Sequence, residues 1–167
     1  MRVQLFALTA LALAAASYAA AQPAAPPPMK TFTSSKEVLA LIEKAKADRK
    51  DNAPLVAEPI LSLAPYRAQL EYRPGTSPAA LHEKDAEMMY VIQGSGTIVT
   101  GGKLVEEKRT NPANLSGTSI TGGNSQAITV GDFVIVPENT PHQITPGGGA
   151  PIVLMTLHVP RPPVGWP

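Results

Sequence analysis

The chain has no cysteine, which excludes a disulfide framework and a lipid-attachment thiol and leaves the core alone to hold any folded unit together. Charge is scarce and balanced: 16% of the 167 residues are charged, with 14 Lys and Arg against 13 Asp and Glu. No electrostatic case for nucleic acid or an acidic membrane follows from that balance. Aromatics amount to 5%, too sparse for a base-stacking platform. Also missing are a phosphate loop, a Gly-x-Ser-x-Gly elbow and the third glycine that Gly94-x-Gly96 would need for a dinucleotide site. No spacing favours a serine nucleophile with its histidine and acid.

Only one long apolar run is present, and it lies at the start. Met1-Arg2, the run Val3 to Ala16 and then Ser17-Tyr18-Ala19-Ala20-Ala21 have the basic start, hydrophobic middle and small-residue end of a secretory signal. Cleavage after Ala21 is expected, which places the mature protein in the periplasm or outside the cell with no stable membrane anchor. An uncleaved anchor is the alternative, but the run is short and Ala-rich for a spanning helix. Removing residues 1–21 takes away Arg2 alone, leaving 13 basic residues against 13 acidic.

What remains suits one domain. Residues 22–33 are rich in proline, which lacks an amide donor and favours extended chain, so a disordered linker is expected there. Ser34 and Glu37 then form a capping box ahead of Val38, Leu41, Ile42 and Ala45 at helical spacing, which predicts one amphipathic helix within 34–53. From residue 54 to 160 the period becomes two. Short β-rich runs alternate with turn signals such as Pro74-Gly75, Gly101-Gly102 and Gly131-Asp132, the pattern of an all-β sandwich or barrel. Between 102 and 122 the pattern lapses into a mixed-charge stretch, expected as a surface insertion that either rims a site or simply connects. Residues 161–167 read as an extended tail carrying Trp166, the only tryptophan.

Two separated stretches carry the chemistry. The first runs from His82 through Glu87 to Gly94, and the second from Gly131 through Pro137 to His142; each sets a metal-ligating residue beside an alternating strand. In order and spacing they resemble the paired motifs of the cupin family over roughly residues 60–160. Gly131, Pro137 and His142 match the second motif, with Asn139 in a glycine slot where a left-handed residue is needed and Asn is tolerated; Pro146 stands where the motif closes on asparagine. Glu87 and Gly94 match the end of the first motif. His82 occupies its second histidine slot and Ala80 its first, although a gap shorter by one residue would put Leu81 and Glu83 there and strand His82.

The resemblance implies a double-stranded β-helix, or jelly-roll barrel, with one N-terminal α-helix, a frequent homodimer, and a divalent metal held by His82, Glu87 and His142. Two imidazoles and a carboxylate suit Fe, Mn, Ni or Zn and leave positions open for water, oxygen or a chelating substrate. Such a centre suits a metal-dependent oxygenase or a lyase/isomerase acting on an oxygen-rich carbon compound; a non-catalytic small-molecule-binding barrel, with or without metal, is the other reading. His158 reads as a rim residue, with fourth ligand or proton shuttle as the alternative, and Asp85 as part of a solvated turn. Tyr90, Met89, Phe133, Tyr72 and Arg67 are candidates for pocket lining, shared between pocket and core. Arg67 and Arg73 lie on a strand that could flank the mouth, where arginine suits a substrate carboxylate.

Overall fold

The computed structural model describes residues 28–161. The expected signal segment, the first part of the proline-rich linker and Trp166 lie outside the described residues. Helix α1 (Ser35–Asp48) is followed by thirteen strands: β1 (Val56–Leu63), β2 (Tyr66–Arg73), β3 (Ala79–His82), β4 (Asp85–Gln93), β5 (Ser95–Thr100), β6 (Lys103–Val105), β7 (Lys108–Asn111), β8 (Asn114–Gly117), β9 (Ser119–Thr121), β10 (Asn124–Thr129), β11 (Phe133–Val136), β12 (His142–Pro146) and β13 (Ile152–Pro160). Pairing is antiparallel throughout. A five-stranded sheet ordered β1-β2-β13-β4-β11 faces a six-stranded sheet ordered β10-β5-β12-β3-β8-β7, and β6 with β9 forms a small ribbon. No helix among the described residues is long and apolar enough to cross a membrane.

Helix α1 starts where the capping box predicts. The Ser34 hydroxyl accepts from the Glu37 amide, and the Glu37 carboxylate accepts from the Ser34 amide at 2.8 Å, satisfying donors that the first turn leaves free. The helix stops at Asp48, short of residue 53, because Asp51 and Asn52 take positive φ angles of 50° and 56° and turn the chain toward β1. Its apolar stripe packs Ile42 and Ala45 on Ile60, Ala68, Leu70 and Tyr72. Lys30, in the segment expected to be disordered, instead bridges Ser62, and the Thr33 hydroxyl donates to the Ile60 carbonyl at 2.6 Å.

That helix decides which way β2 faces. Side chains alternate across a strand, and α1 claims the Ala68, Leu70 and Tyr72 side by burying it from outside the sheet. Arg67, Gln69, Glu71 and Arg73 are therefore turned toward the space between the sheets, in register with His158, Thr156, Leu154 and Ile152 of β13. The polar positions of β2 point inward.

Between the sheets the filling changes from one end to the other. One half is a dry core of Met89, Val91, Ile98, Ile128, Val136, Ile144, Ile152 and Leu154, drawn from both sheets. The other half is a polar cavity of about 340 Å³ lined by Glu71, Arg73, His82, Glu87, His142 and His158, among others. The 102–122 stretch is not an irregular insertion. It forms β6 to β9, and β8 pairs with β3 beside His82, so part of it is a wall of this cavity.

Candidate metal centre

Two strands of each sheet deliver the site. Glu87 lies on β4, directly across from His158 of β13; His82 ends β3, and His142 begins β12 across from Ala80. A backbone bond ties the two motifs together, since the Asn139 amide donates to the His82 carbonyl at 2.8 Å. Asn139 makes that approach with φ 58°, the left-handed conformation expected of the residue in the glycine slot. Gly94, at φ 79°, closes the first motif where a Cβ would meet the Pro151 carbonyl oxygen at 2.4 Å.

All three histidines of the chain surround one carboxylate. Glu87 is 3% exposed. Its Oε2 lies 3.1 Å from His82 Nε2 and 2.9 Å from His142 Nε2, and its Oε1 lies 3.9 Å from His158 Nε2. His82, Glu87 and His158 each offer a ligand atom within 4.8 Å of the others. The His82 ring centroid is 5.2 Å from that of His142 and 4.7 Å from that of His158. His82 and His142, expected as ligands with Glu87, each contact its carboxylate, but the group whose ligand atoms all lie within 4.8 Å of one another is completed by His158 and not by His142; His158 therefore faces this cluster rather than standing at a rim.

Second contacts orient two of the rings. Asn114 Oδ1 lies 2.7 Å from His82 Nδ1, and the Thr140 carbonyl lies 3.3 Å from His142 Nδ1. A ring whose Nδ1–H donates outward keeps a bare Nε2 lone pair when neutral. In that tautomer both Nε2 lone pairs face a carboxylate oxygen, an arrangement that a shared proton or a divalent metal would complete. The donor set fits a divalent metal for that reason. His158 adds a buried Nδ1 with no hydrogen-bond partner, 4.0 Å from Asp85 Oδ2.

The electrostatics follow the same geometry. Burial by itself raises the Glu87 carboxyl, but hydrogen bonds from His142 and His82, with the charges of His142 and His158, outweigh it and hold the group well below the usual carboxylate range. Burial opposes a charge on His82, yet the hydrogen bonds to Glu87 and Asn114 and the Glu87 charge raise its pKa. For His158 burial prevails: its pKa falls, with Glu87 opposing and His82 and Arg67 adding to the fall.

The remaining pocket candidates separate by strand face. Met89 belongs to the dry core and Tyr72 is buried beneath α1. Tyr90 and Phe133 stack with centroids 4.6 Å apart on the outer face of the sheet, where Phe133 is 68% exposed; neither reaches the cavity, because odd-numbered residues of β4 face inward and Tyr90 does not. Arg67 lines a separate hollow of about 490 Å³ with Tyr66, Asp85 and His158. Asp85 opens β4 instead of sitting in a turn. Sequence reasoning missed Asn114 and Ser116 of β8, Ser77 and Glu71. The in-register parity of β2 could have flagged Glu71, whereas nothing local marks Asn114.

No family model matches the sequence, and no curated protein matches it. Solved structures do resemble it in three dimensions. An uncharacterized conserved protein with a double-stranded β-helix domain from Klebsiella pneumoniae superposes with TM-score 0.51 at 15% identity, covering 71% of this chain and 86% of that one. The fold is the double-stranded β-helix. The Fe(II) form of HppE shares it with TM-score 0.50 at 16% identity over 66% of this chain and 53% of its own. The cupin domain of Schizosaccharomyces pombe Cnp3 gives TM-score 0.49 at 12% identity over 70% of this chain and 72% of that one. At these identities the likeness speaks for the fold, and the site must be argued from its own atoms.

Proposed function

We propose that this cupin-fold chain is a metal-dependent enzyme for small oxygen-rich molecules, with one divalent ion, Fe, Mn, Ni or Zn, held by His82, His142, His158 and Glu87. The observation that carries the reading is the convergence of every histidine in the chain on one buried carboxylate, with two of the rings held by acceptors on their far nitrogens. His158, arriving from β13, supplies the imidazole absent at Ala80. The nearest part of the cupin resemblance, three histidines and a glutamate, is thereby met by a different strand.

When bound, such an ion supplies a Lewis acid and a coordination site for a chelating substrate or dioxygen. The chain's own contribution is to bind, orient and exclude water. Asn114 and Thr140 fix the ring orientations, Glu87 offers its charge from a buried position, and the dry core closes the cavity from behind. Oxygenase or lyase/isomerase chemistry is the reaction class this arrangement suits. The Fe(II) form of HppE, with the same fold, supports a redox metal as one option.

Metal content of tag-free protein tests the proposal. Near one ion per chain is expected for the wild type, with loss in His82→Ala and His142→Ala; a wild type that stays empty after exposure to Fe(II), Mn(II), Ni(II) and Zn(II) removes it. Oxygen uptake with phenolic and keto-acid substrates then separates oxygenase from lyase. A ligand-binding barrel without catalysis is the second reading, favoured by Ala80 lining the cavity at the first histidine slot. It predicts binding of the same compounds with no turnover.

The proposal extends to assembly and location. Val38, Leu39, Ile60, Tyr90, Ile92 and Met155 form an apolar outer groove of about 480 Å³, and Phe133 and Ile135 are exposed on edge strand β11; both features support a homodimer. Light scattering should return twice the chain mass. Export is proposed on the signal-like run that ends at Ala21, and sequencing of the mature protein should then return an N-terminus at Gln22.

A further inference from the structure

Among the described residues, Arg73 is the only Lys or Arg lining the cavity that holds the histidines. It is 8% exposed, and its partner Glu71 is 6% exposed. Arg73 Nε and Nη2 both donate to Glu71 Oε2, at 2.9 and 2.6 Å, and Nη1 donates to the Ser77 hydroxyl. The other carboxylate oxygen of Glu71 accepts from Thr156 Oγ1 at 3.5 Å. A guanidinium has five N–H groups in a planar fork. Three are spent on these contacts, and one on each terminal nitrogen is left free.

A buried ion pair is a poor device for stability, since the cost of desolvating two charges offsets their attraction and an apolar pair of like size does as well or better. The same inner face of the sandwich is filled elsewhere with Ile152, Leu154 and Val91. Placing Arg73 and Glu71 beside the histidines therefore calls for a role in the cavity. With a divalent ion present, the formal charges of the lining are two carboxylates, one guanidinium and the ion, a net of one positive. The other lining residues are proline, leucine, alanine, serine and the neutral rings. One monoanion balances the cavity.

We infer that Arg73 selects the ligand of this site: its two unspent N–H groups receive the carboxylate of a monoanionic oxygen-rich compound whose hydroxyl or oxo groups chelate the metal. This rests on the metal reading given above. Glu71 and Ser77 position the fork and keep it from swinging toward Glu87, and Thr156 holds Glu71.

Calorimetric titration of the Zn(II)-loaded protein with shikimate, a triol bearing one carboxylate, and with its neutral amide tests the assignment. Wild type should bind the acid roughly tenfold or more tighter than the amide, the size of one charge-assisted hydrogen bond. Arg73→Gln alone would strand the Glu71 charge, so the test variant is Glu71→Gln combined with Arg73→Gln, which removes both charges. In that double variant the preference for acid over amide should vanish while Zn(II) content, melting temperature and affinity for the amide hold. Arg73→Lys, which keeps the charge and loses the fork, should fall between. An acid preference that survives in the double variant, or its absence in the wild type, overturns the assignment. If the wild type takes up no Zn(II), the metal reading fails by that count alone; the same acid-to-amide comparison on metal-free protein then decides the role of Arg73.

Discussion

The two halves of the barrel interior are built on the same strands yet obey opposite rules. Along β13, Ile152 and Leu154 face the dry core, while Thr156 and His158, on the same side of the same strand, face the cavity. Along β4 the change comes between Met89 and Glu87. The dry half is complete without a ligand: its side chains are apolar and fully buried, and close packing is what they contribute. On the proposed reading, the polar half is completed by a bound cation. A buried carboxylate, three imidazoles and an arginine are costly to desolvate, and a bound ligand would offset part of that cost.

That contrast can be broken at several points. Leu154→Ala in the dry half should cost the most, about 2–5 kcal/mol in chemical denaturation, because it leaves a cavity; metal content should stay at the wild-type value. A comparable loss of metal in Leu154→Ala would mean that the halves are not separable. Asn114→Ala in the polar half should do the reverse, weakening metal affinity about 10- to 100-fold by releasing the His82 ring, with little change in the denaturation midpoint. Equilibrium competition against a chelator dye reads the first, and urea unfolding the second.

A smaller effect tests the link between the two motifs. Asn139→Ala forces a side chain with no local hydrogen bonding into a φ of 58° and should cost about 1 kcal/mol, whereas Asn139→Gly should be tolerated. If alanine and glycine behave alike in thermal unfolding, the left-handed turn is not what places His142. The smallest effect concerns pH. Because the Glu87 carboxyl is depressed in the folded state, its stabilising share is present above the unfolded value near 4.5 and is lost as pH falls below it. Because the His82 pKa is raised, its share is present below 6.5 and is lost as pH rises through the folded value, while the lowered pKa of His158 works the other way below 6.5. Metal-free protein should therefore lose melting temperature on acidification below about pH 4.5, and Glu87→Gln should flatten that slope. An unchanged slope in the variant would assign the acid limb to other groups.

Much of the dry half was legible from residue order, since β-rich runs and turn residues mark strands by period and chemistry alone. Helix α1 was legible because its cap is local: Ser34 and Glu37 are three residues apart. The paired motifs located Glu87, His82 and His142 because each lies at a set distance from a glycine turn. His158 was legible only as a rim residue with fourth ligand or proton shuttle as the alternative, since its position depends on the pairing of β13 with β4, a contact between residues far apart in sequence. Asn114 was hidden in a stretch whose short strands carry polar residues on both faces. The alternation of β2 was plain, but its direction was not: the helix covers the outer face, so the apolar residues turned outward and the charged ones inward, and only the packing of α1 settles that.

The most direct test is a crystal of the protein soaked in Mn(II) and measured at a wavelength where manganese scatters anomalously. One strong anomalous peak is expected between Glu87 and the Nε2 atoms of His82, His142 and His158, within about 2.0–2.3 Å of those donors. A crystal with no peak there, or with manganese only on surface carboxylates, would contradict the account.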